Sequence, residues 1–190
     1  MRKRDRPGAG MILWTVWAMV FWIASAMQLS ATRMVPLSVE QLAGVAGVVV
    51  HARVESVAAA RDKEGRVFTR IGLRRIETWK GRMETGSFEI VAGGGVLGDR
   101  EVRVVGQAVY AVGEEVVAFL VRNPDGEWVT VGLSQGRFSI WRDAASGQRY
   151  AVRPVVSGHD SPAAARDVEA AVPRSLTLEE LKRRTQETSR

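Results

Sequence analysis

The stretch VVVHARVESV, residues 48–57, decides the fold class of this chain. Apolar side chains recur in it at every second position, which is the period of a β-strand. This set consists of Val48, Val50, Ala52 and Val54. The intervening set is mostly polar and consists of Val49, His51, Arg53 and Glu55. The pattern predicts a strand whose first set lies in a core and whose second set faces solvent.

Further short segments of this kind follow toward the carboxyl terminus. They span residues 67–73, 88–91, 101–105, 116–121, 128–133, 137–141 and 149–152. The apolar phase slips at Arg74-Arg75, which predicts a bulge in the second strand. Many short strands between turns predict a mainly β fold, either a small OB-like antiparallel barrel or a sandwich. The segment 116–121 is apolar on both faces, as expected of a central strand.

A short helix is predicted on each side of these strands. Ser38 and Gln41 have the spacing of a capping box, so the first helix is expected over 37–42. Thr177 and Glu180 repeat that spacing in a carboxyl-terminal helix at 175–190. Its apolar stripe, which could dock on the barrel or on a partner, is Leu176, Leu178 and Leu181. A linker rich in Ala and Pro at 154–174 separates this helix from the β domain at 37–153.

Residues 1–26 have the three parts of a bacterial export signal. A basic head is followed by an apolar run at 11–23 and by the small-x-small site Ala24-Ser25-Ala26. Cleavage there, or after Ala31, would release the domain to the periplasm or the medium. The alternative is a single-pass membrane anchor through 11–27, which is about 17 residues and close to the lower limit for spanning. In both cases the domain is expected outside the cytoplasm.

Composition removes several classes of function. The 190-residue chain has no cysteine, which excludes disulfides, thiolate metal sites and a thiol nucleophile. Its net charge is +6, but residues 1–26 carry four basic and one acidic side chain and so supply +3 of that charge. The remainder is a mildly basic domain that needs no polyanionic partner, and nucleic acid is not the expected ligand.

The glycine-rich segment at 93–98 (GGGVLG) formally matches a dinucleotide-binding fingerprint. Such a site needs a helix directly after the glycines to hold the pyrophosphate. Residues 99–105 alternate like a strand instead. The segment is therefore predicted to be a β loop, and no cofactor is expected.

Ser134 lies in the segment GLSQG, residues 132–136, which formally fits the G-x-S-x-G pattern of serine hydrolases. That pattern requires a strand-to-helix turn, whereas a strand-like segment follows here, so a strand–turn–strand connection is favoured. The two histidines, His51 and His159, have no cluster of further ligands at metal-binding spacing, and no metal is expected. A hydrolase that acts through Ser134 is kept as an alternative.

Several arginines could share one outer face of the barrel. They are Arg53, Arg70, Arg103, Arg137 and Arg142. With Trp128 or Trp141 they would form the basic and aromatic surface on which OB folds bind oligosaccharides or single-stranded nucleic acid, which is a second alternative. A solvated strand face is the simpler interpretation. Glu114 and Glu115 are adjacent at the start of a strand, so they would face opposite sides and not share a proton.

Several motifs resemble a family of exported, uncharacterised bacterial β proteins. They are LSVEQL, GVVVHARVESV, RVFTRIGL, ETWKG, VAGGG, YAVGEEVVAFL and VGLSQGRFSI, which lie within residues 37–141. That family has no assigned activity to carry over. More distantly, the segments are similar to netrin-like domains such as the tissue inhibitors of metalloproteinases, through residues 50–57, 79–81 and 112–120. This resemblance implies an OB-type barrel, but not the inhibitors' use of an amino-terminal cysteine to ligate zinc, since the chain has none.

A β core without a recognisable set of catalytic groups predicts a non-enzymatic binding or accessory module of the cell envelope. Its partner is expected to be another envelope or secreted protein, or a surface polymer. Loops on rigid barrels carry recognition, so the binding candidates lie in the 134–137 turn, in the glycine segment and at a neighbouring tryptophan. By residue they are Ser134, Gln135, Arg137, Gly94, Gly95 and Trp141.

Overall fold

Two helices, ten strands and one 3₁₀ turn form the part of the chain that a computed structural model describes, residues 36–153 and 176–189. The helices are α1 (Val39–Val45) and α2 (Leu178–Glu187), and the 3₁₀ turn spans Leu133–Gly136. The strands are β1 (Val48–Arg61), β2 (Val67–Lys80), β3 (Ser87–Gly93), β4 (Gly95–Leu97), β5 (Arg100–Val102), β6 (Glu115–Arg122), β7 (Trp128–Thr130), β8 (Arg137–Arg142), β9 (Arg149–Val152) and β10 (Leu176–Thr177). The predicted export or anchor segment, the linker and His159 lie outside the described residues. Neither described helix has the length and apolar character that crossing a membrane requires.

Eight of the strands form one sheet in the order β1-β2-β3-β7-β6-β8-β9-β10, and β4 pairs with β5 alone. Because β1 pairs with β6 as well as with β2, hydrogen-bonded pairs lead from β1 through β2, β3, β7 and β6 back to β1. This barrel-like circuit has five strands, the number found in an OB fold. The prediction of a mainly β fold between two short helices is confirmed. One junction corrects the all-antiparallel expectation, since β3 and β7 run parallel and meet at a single pair, Ile90 and Trp128.

The inner side of this circuit holds one hydrophobic core. The predicted apolar set of β1, from Val48 to Val54, lies in it together with every second residue of β6 from Val116 to Leu120. The other buried members are Ile71, Leu73, Met83, Ile90, Ala92, Ala108 and Tyr110. The two-residue period therefore identified the core-facing side of β1 correctly.

A second core lies on the opposite face of β1, β6 and β8, under the two helices. It contains Leu42 of α1, Phe119 of β6 and Leu181 of α2, all of which are 0% exposed. Val49 belongs to this core, and His51 shares its side of β1 and is also buried. The prediction that these two residues face solvent is wrong, because α1 and α2 cover a face that the strand's own alternation marks as polar.

The start of each helix follows its predicted capping residues. Ser38 and Gln41 form the reciprocal capping box of α1, and Thr177 Oγ1 accepts a hydrogen bond from Glu180 N at 3.1 Å at the start of α2. Both helices begin later than predicted. In particular, Leu176 and Thr177 pair with β9 as strand β10 before α2 begins.

The bulge predicted after Arg74-Arg75 is present in β2. In the β1–β2 ladder His51 pairs with Glu77 and Ala52 with Arg75, so one residue of β2 between them has no counterpart in β1. The resulting change of phase lets β2 continue beyond the predicted strand at 67–73 as far as Lys80.

Apolar and ionic contacts join α2 to the β domain. Its buried side chains are Leu178, Leu181 and Thr185. Lys182 Nζ donates to Glu77 Oε1 of β2 at 2.6 Å, and Arg184 Nε donates to Glu40 Oε1 of α1 at 2.7 Å. The hydrogen bond from Arg184 is the largest cause that lowers the pKa of Glu40, to about 2. The apolar stripe of this helix therefore docks on the chain's own β domain.

Replacement of Leu181 by alanine should destabilise the whole domain. A fully buried leucine that is cut back to alanine costs about 2–5 kcal/mol, and here the resulting cavity lies in the core that also buries one face of β6. The free energy of unfolding of Leu181→Ala, measured with urea, should fall by that amount. The matched control Gln186→Ala, on an exposed position of the same helix, should change it by less than about 0.5 kcal/mol. Equal, small effects of both changes would show that α2 does not seal this core.

Candidate functional site

The sheet brings several candidate residues together at the start of β6, where Glu114 precedes Glu115. Neighbouring residues of a strand point to opposite faces. Glu114 accepts hydrogen bonds from Arg137 and Ser139, whereas Glu115 is bonded to His51. The expectation that the two carboxylates face opposite sides is confirmed. They divide the polar residues here into an inner cluster and an outer cluster.

The inner cluster consists of Tyr110, Glu114, Thr130, Arg137 and Ser139. Arg137 Nη2 donates to Glu114 Oε1, and Ser139 Oγ donates to the same oxygen at 2.7 Å. The Arg137 side chain is only 8% exposed, and its guanidinium lies 5.2 Å from the centroid of the Tyr110 ring. A buried guanidinium needs a charged partner because the loss of its hydration is costly. Arg137 therefore serves the fold and is not free to recognise a ligand.

Tyr110 joins the inner cluster to β7. Its hydroxyl oxygen lies 2.8 Å from Thr130 Oγ1, and burial raises the pKa of Tyr110 to about 12. A side chain whose neutral form is favoured to this extent is poorly matched to acid–base catalysis near neutral pH. The arrangement is suited to holding the segment before β6 in place.

The outer cluster surrounds Glu115 and is the more accessible of the two. His51 Nε2 donates to Glu115 Oε1 at 2.7 Å, while the His51 ring is buried with its centroid 5.9 Å from that of Trp79. Arg53 Nη2 and Arg149 Nη1 each lie 3.6 Å from a carboxylate oxygen of Glu115. Glu115 thus stands between a buried imidazole and two guanidinium groups at the surface.

The turn that carries Ser134, Gln135 and Arg137 faces inward. These residues are 5%, 8% and 7% exposed, respectively. Gln135 Oε1 accepts a hydrogen bond from Leu37 N at 2.6 Å, and Ser134 N donates to Gly106 O at 2.9 Å. The turn supplies partners to backbone groups that are distant in sequence, and it exposes little of these three side chains, so its use as a contact surface stays a prediction that their burial does not support. The predicted strand–turn–strand connection is confirmed, with a 3₁₀ turn between β7 and β8.

Gly94 and Gly95 lie where the chain passes close to β2 and β5. A Cβ atom at Gly94 would collide with the Val102 carbonyl, and one at Gly95 would collide with Thr69 Oγ1. Thr69 Oγ1 also donates to Gly94 O at 2.7 Å. The glycines are needed for this close approach to β2 and β5, and a role for them in binding stays a prediction. A β hairpin, β4–β5, follows them instead of a helix, as predicted.

The β8–β9 hairpin presents different chemistry on each face. Trp141 pairs with Tyr150, with ring centroids 6.0 Å apart, and Trp141 is 39% exposed. The next pair in the ladder, Arg142 with Arg149, points to the opposite face, which is that of the outer cluster. Of the predicted binding candidates, Trp141 is the one with an exposed side chain.

The five arginines that the sequence suggested as one face are divided among several places. Two of them are paired with nearby carboxylates, Arg70 with Glu89 and Arg103 with Glu101. Arg137 lies in the inner cluster, and only Arg53 and Arg142 remain on the side of the outer cluster. Trp128 is half-buried, with the Arg122 guanidinium 4.0 Å from its ring centroid. A continuous basic and aromatic surface of the predicted composition is therefore not formed.

Two pairings within these polar clusters were missed from the sequence. The hydrogen bond between His51 and Glu115 could have been predicted, because Glu115 lies two residues before Val117 and therefore on the same face of β6. The opposition of Arg142 and Arg149 depends on the register of β8 and β9, which has no local signal.

In the described part of the chain, no group of three or more His, Cys, Asp and Glu side chains could hold a metal ion.

The buried phenol of Tyr110 should make the domain sensitive to alkaline pH. Its pKa is raised in the folded state, so the stability that it contributes is complete below pH 10 and is lost as the pH rises toward about 12. Over this interval we expect the free energy of unfolding of native protein to fall by up to about 2 kcal/mol more than that of Tyr110→Phe. Thermal unfolding between pH 8 and 12 measures the difference. Tyr150→Phe, at the only other tyrosine, should behave like native protein; parallel curves for all three proteins would contradict the assignment.

The comparisons with known proteins leave the functional argument to the fold and the site. No model of a known protein family matches the chain, and no curated protein matches it either. The resemblances to exported bacterial β proteins and to netrin-like domains therefore stay expectations.

Proposed function

We propose that this chain is a non-enzymatic binding module that works outside the cytoplasm, either exported or held by an amino-terminal anchor. Its partner is another envelope or secreted protein, or a surface polymer. The proposal places the contact at the aromatic face of the β8–β9 hairpin, which Trp141 and Tyr150 form.

The Trp141 ring, exposed beside the partly buried ring of Tyr150, is the observation that carries this proposal. Trp141 is 39% exposed beside Tyr150, and aromatic side chains of this kind dominate the energetics of binding surfaces. A partner that covered these side chains would remove a large apolar area from water.

The hairpin is also held in one conformation, which lowers the entropic cost of binding. The Asp143 carboxylate accepts hydrogen bonds from the backbone N–H groups of Ala145 and Ser146, and Gly147 N donates to Asp143 O at 2.8 Å. A rigid turn of this kind presents the rings of the hairpin without a need to order them first.

The hydrolase alternative lacks the contact that it needs. A serine nucleophile is activated by a base within hydrogen-bond reach. Within the described residues, Ser134 Oγ is buried and has no hydrogen-bond partner, and His51 is bonded to Glu115. This arrangement favours a binding function over catalysis at Ser134.

A unique cysteine can test both the location and the surface, because the chain has no cysteine of its own. Ala144→Cys places a thiol in the exposed turn beside Trp141, and Thr85→Cys places one in an exposed loop elsewhere. A membrane-impermeant, thiol-reactive photo-crosslinker should label both thiols in intact cells. Only Ala144→Cys should yield a crosslinked product, and adding Trp141→Ala should reduce that product about tenfold or more, as loss of a binding hot spot does.

Ile76→Ala serves as the matched control, since it removes another exposed apolar side chain and should leave the product unchanged. An undiminished product with Trp141→Ala would reject the aromatic face as the contact. Labelling of both thiols only after lysis would place the domain in the cytoplasm and reject the proposed location. A product whose added mass is removed by glycosidases, while the labelled domain itself stays intact, would identify the partner as a polymer and favour the oligosaccharide-binding alternative.

A further inference from the structure

Arg142 and Arg149 face each other directly across the β8–β9 ladder. Opposed residues of an antiparallel pair have Cβ atoms about 5 Å apart, and like charges in such a pair destabilise the sheet. Arg149 Nη1 lies 3.6 Å from Glu115, which is beyond normal hydrogen-bond length. Within the described residues, no carboxylate forms an ion pair with Arg142. The hairpin thus contains a repulsive pair that the fold leaves poorly neutralised.

Glu115 and Asp143, the carboxylates next to this pair, accept hydrogen bonds from other groups. Glu115 is bonded to His51 at 2.7 Å. Asp143 directly follows Arg142 in sequence, but the Ser146 hydroxyl donates to its carboxylate, and this hydrogen bond is the largest cause that lowers the pKa of Asp143. Asp143 therefore stabilises the turn, and Glu115 is shared between its hydrogen bond to His51 and the longer contacts to Arg53 and Arg149.

A third guanidinium adds to the positive charge. Arg53 of β1 lies on the same side, with Nη2 3.6 Å from Glu115 Oε2 and its side chain 46% exposed. Arg53, Arg142 and Arg149 supply three positive charges against the one negative charge of Glu115, a surplus of two. These three arginines lie on different strands, so the pairing of the strands, and not their closeness in sequence, brings their charges together.

We propose that Arg53, Arg142 and Arg149, here called the outer arginine site, bind a phosphate group. Guanidinium groups donate paired hydrogen bonds to the oxygens of phosphate and carboxylate. A carboxylate has two oxygens and satisfies one such fork, whereas a phosphate group has enough oxygens for several. Its charge of about −2 as a monoester also matches the surplus of the site.

The outer arginine site is separate from the aromatic face, because Trp141 and Arg142 are neighbours on one strand and point to opposite sides of it. A phosphate-bearing ligand and the partner at Trp141 could therefore bind independently. The inference goes beyond the proposed function and does not depend on it, since each surface has its own variant and its own measurement.

Pyrophosphate is the probe for the outer arginine site, in the full chain and at constant ionic strength. Native protein should bind it with measurable heat and with a rise in Tm that saturates. Arg142→Ala and Arg149→Ala should each weaken binding about tenfold or more, the amount expected when a hydrogen-bonded charge is removed. Arg70→Ala, which removes the same charge from an arginine paired with Glu89, should bind like native protein.

Two further measurements keep the result interpretable. In low salt without ligand, Arg142→Ala should have a Tm at least as high as that of native protein, because the change relieves a like-charge pair; a large fall in Tm would contradict the repulsion on which the argument rests. Malonate, a dicarboxylate, should bind at least about tenfold more weakly than pyrophosphate. Equal binding of malonate, equal binding by Arg70→Ala and Arg142→Ala, or no binding by native protein would each overturn the phosphate assignment.

Discussion

Burial of β6 on both faces is the constraint on which the rest of the structure depends. Residues 116–120 are all 0% exposed, with Val116, Ala118 and Leu120 in the inner core and Val117 and Phe119 in the outer one. Such a strand is stable only when both of its faces are covered and its backbone groups are paired. The sheet supplies β1, β7 and β8 as its neighbours, and the helices cover the outer face. The two cores are therefore one system that shares this strand.

The same alternation creates the polar clusters at the start of β6. Where the strand leaves the cores, its side chains continue to point to alternate sides, and Glu114 and Glu115 carry negative charge to the two faces. The inner carboxylate is neutralised by the buried Arg137, and the outer one is hydrogen-bonded to His51 at 2.7 Å. The turn end of the β8–β9 hairpin extends beyond the five-strand circuit, and there Trp141, Arg142 and Arg149 lie outside both cores. The buried polar groups are thus used in contacts within the fold, and the exposed residues at the turn end of the hairpin are available for recognition.

Local patterns predicted those parts of the fold that local interactions determine. The strand at 149–152, the capping box of α1 and the bulge in β2 each depend on a few neighbouring residues, and each is present. The burial of His51 could not be foreseen, because α1 and α2 cover its side of β1 from both ends of the described chain. The inward orientation of Gln135 was equally hidden, since it depends on Leu37, 98 residues away. Most of the candidate residues chosen from turn composition are therefore held in contacts within the fold, whereas Trp141 is exposed.

Native-state hydrogen exchange, read residue by residue, tests most directly whether β6 is the strand on which the fold depends. The amides of Val117 and Phe119, buried between the two cores, should exchange only through global unfolding and be among the slowest in the domain. Those of the β4–β5 hairpin, which pairs with no other strand, should exchange much faster through local opening. Replacement of Leu181 by alanine should speed exchange at Val117 and Phe119 together. Exchange of β6 as fast as that of β4–β5, or protection of β6 that is unaffected by loss of Leu181, would contradict the account.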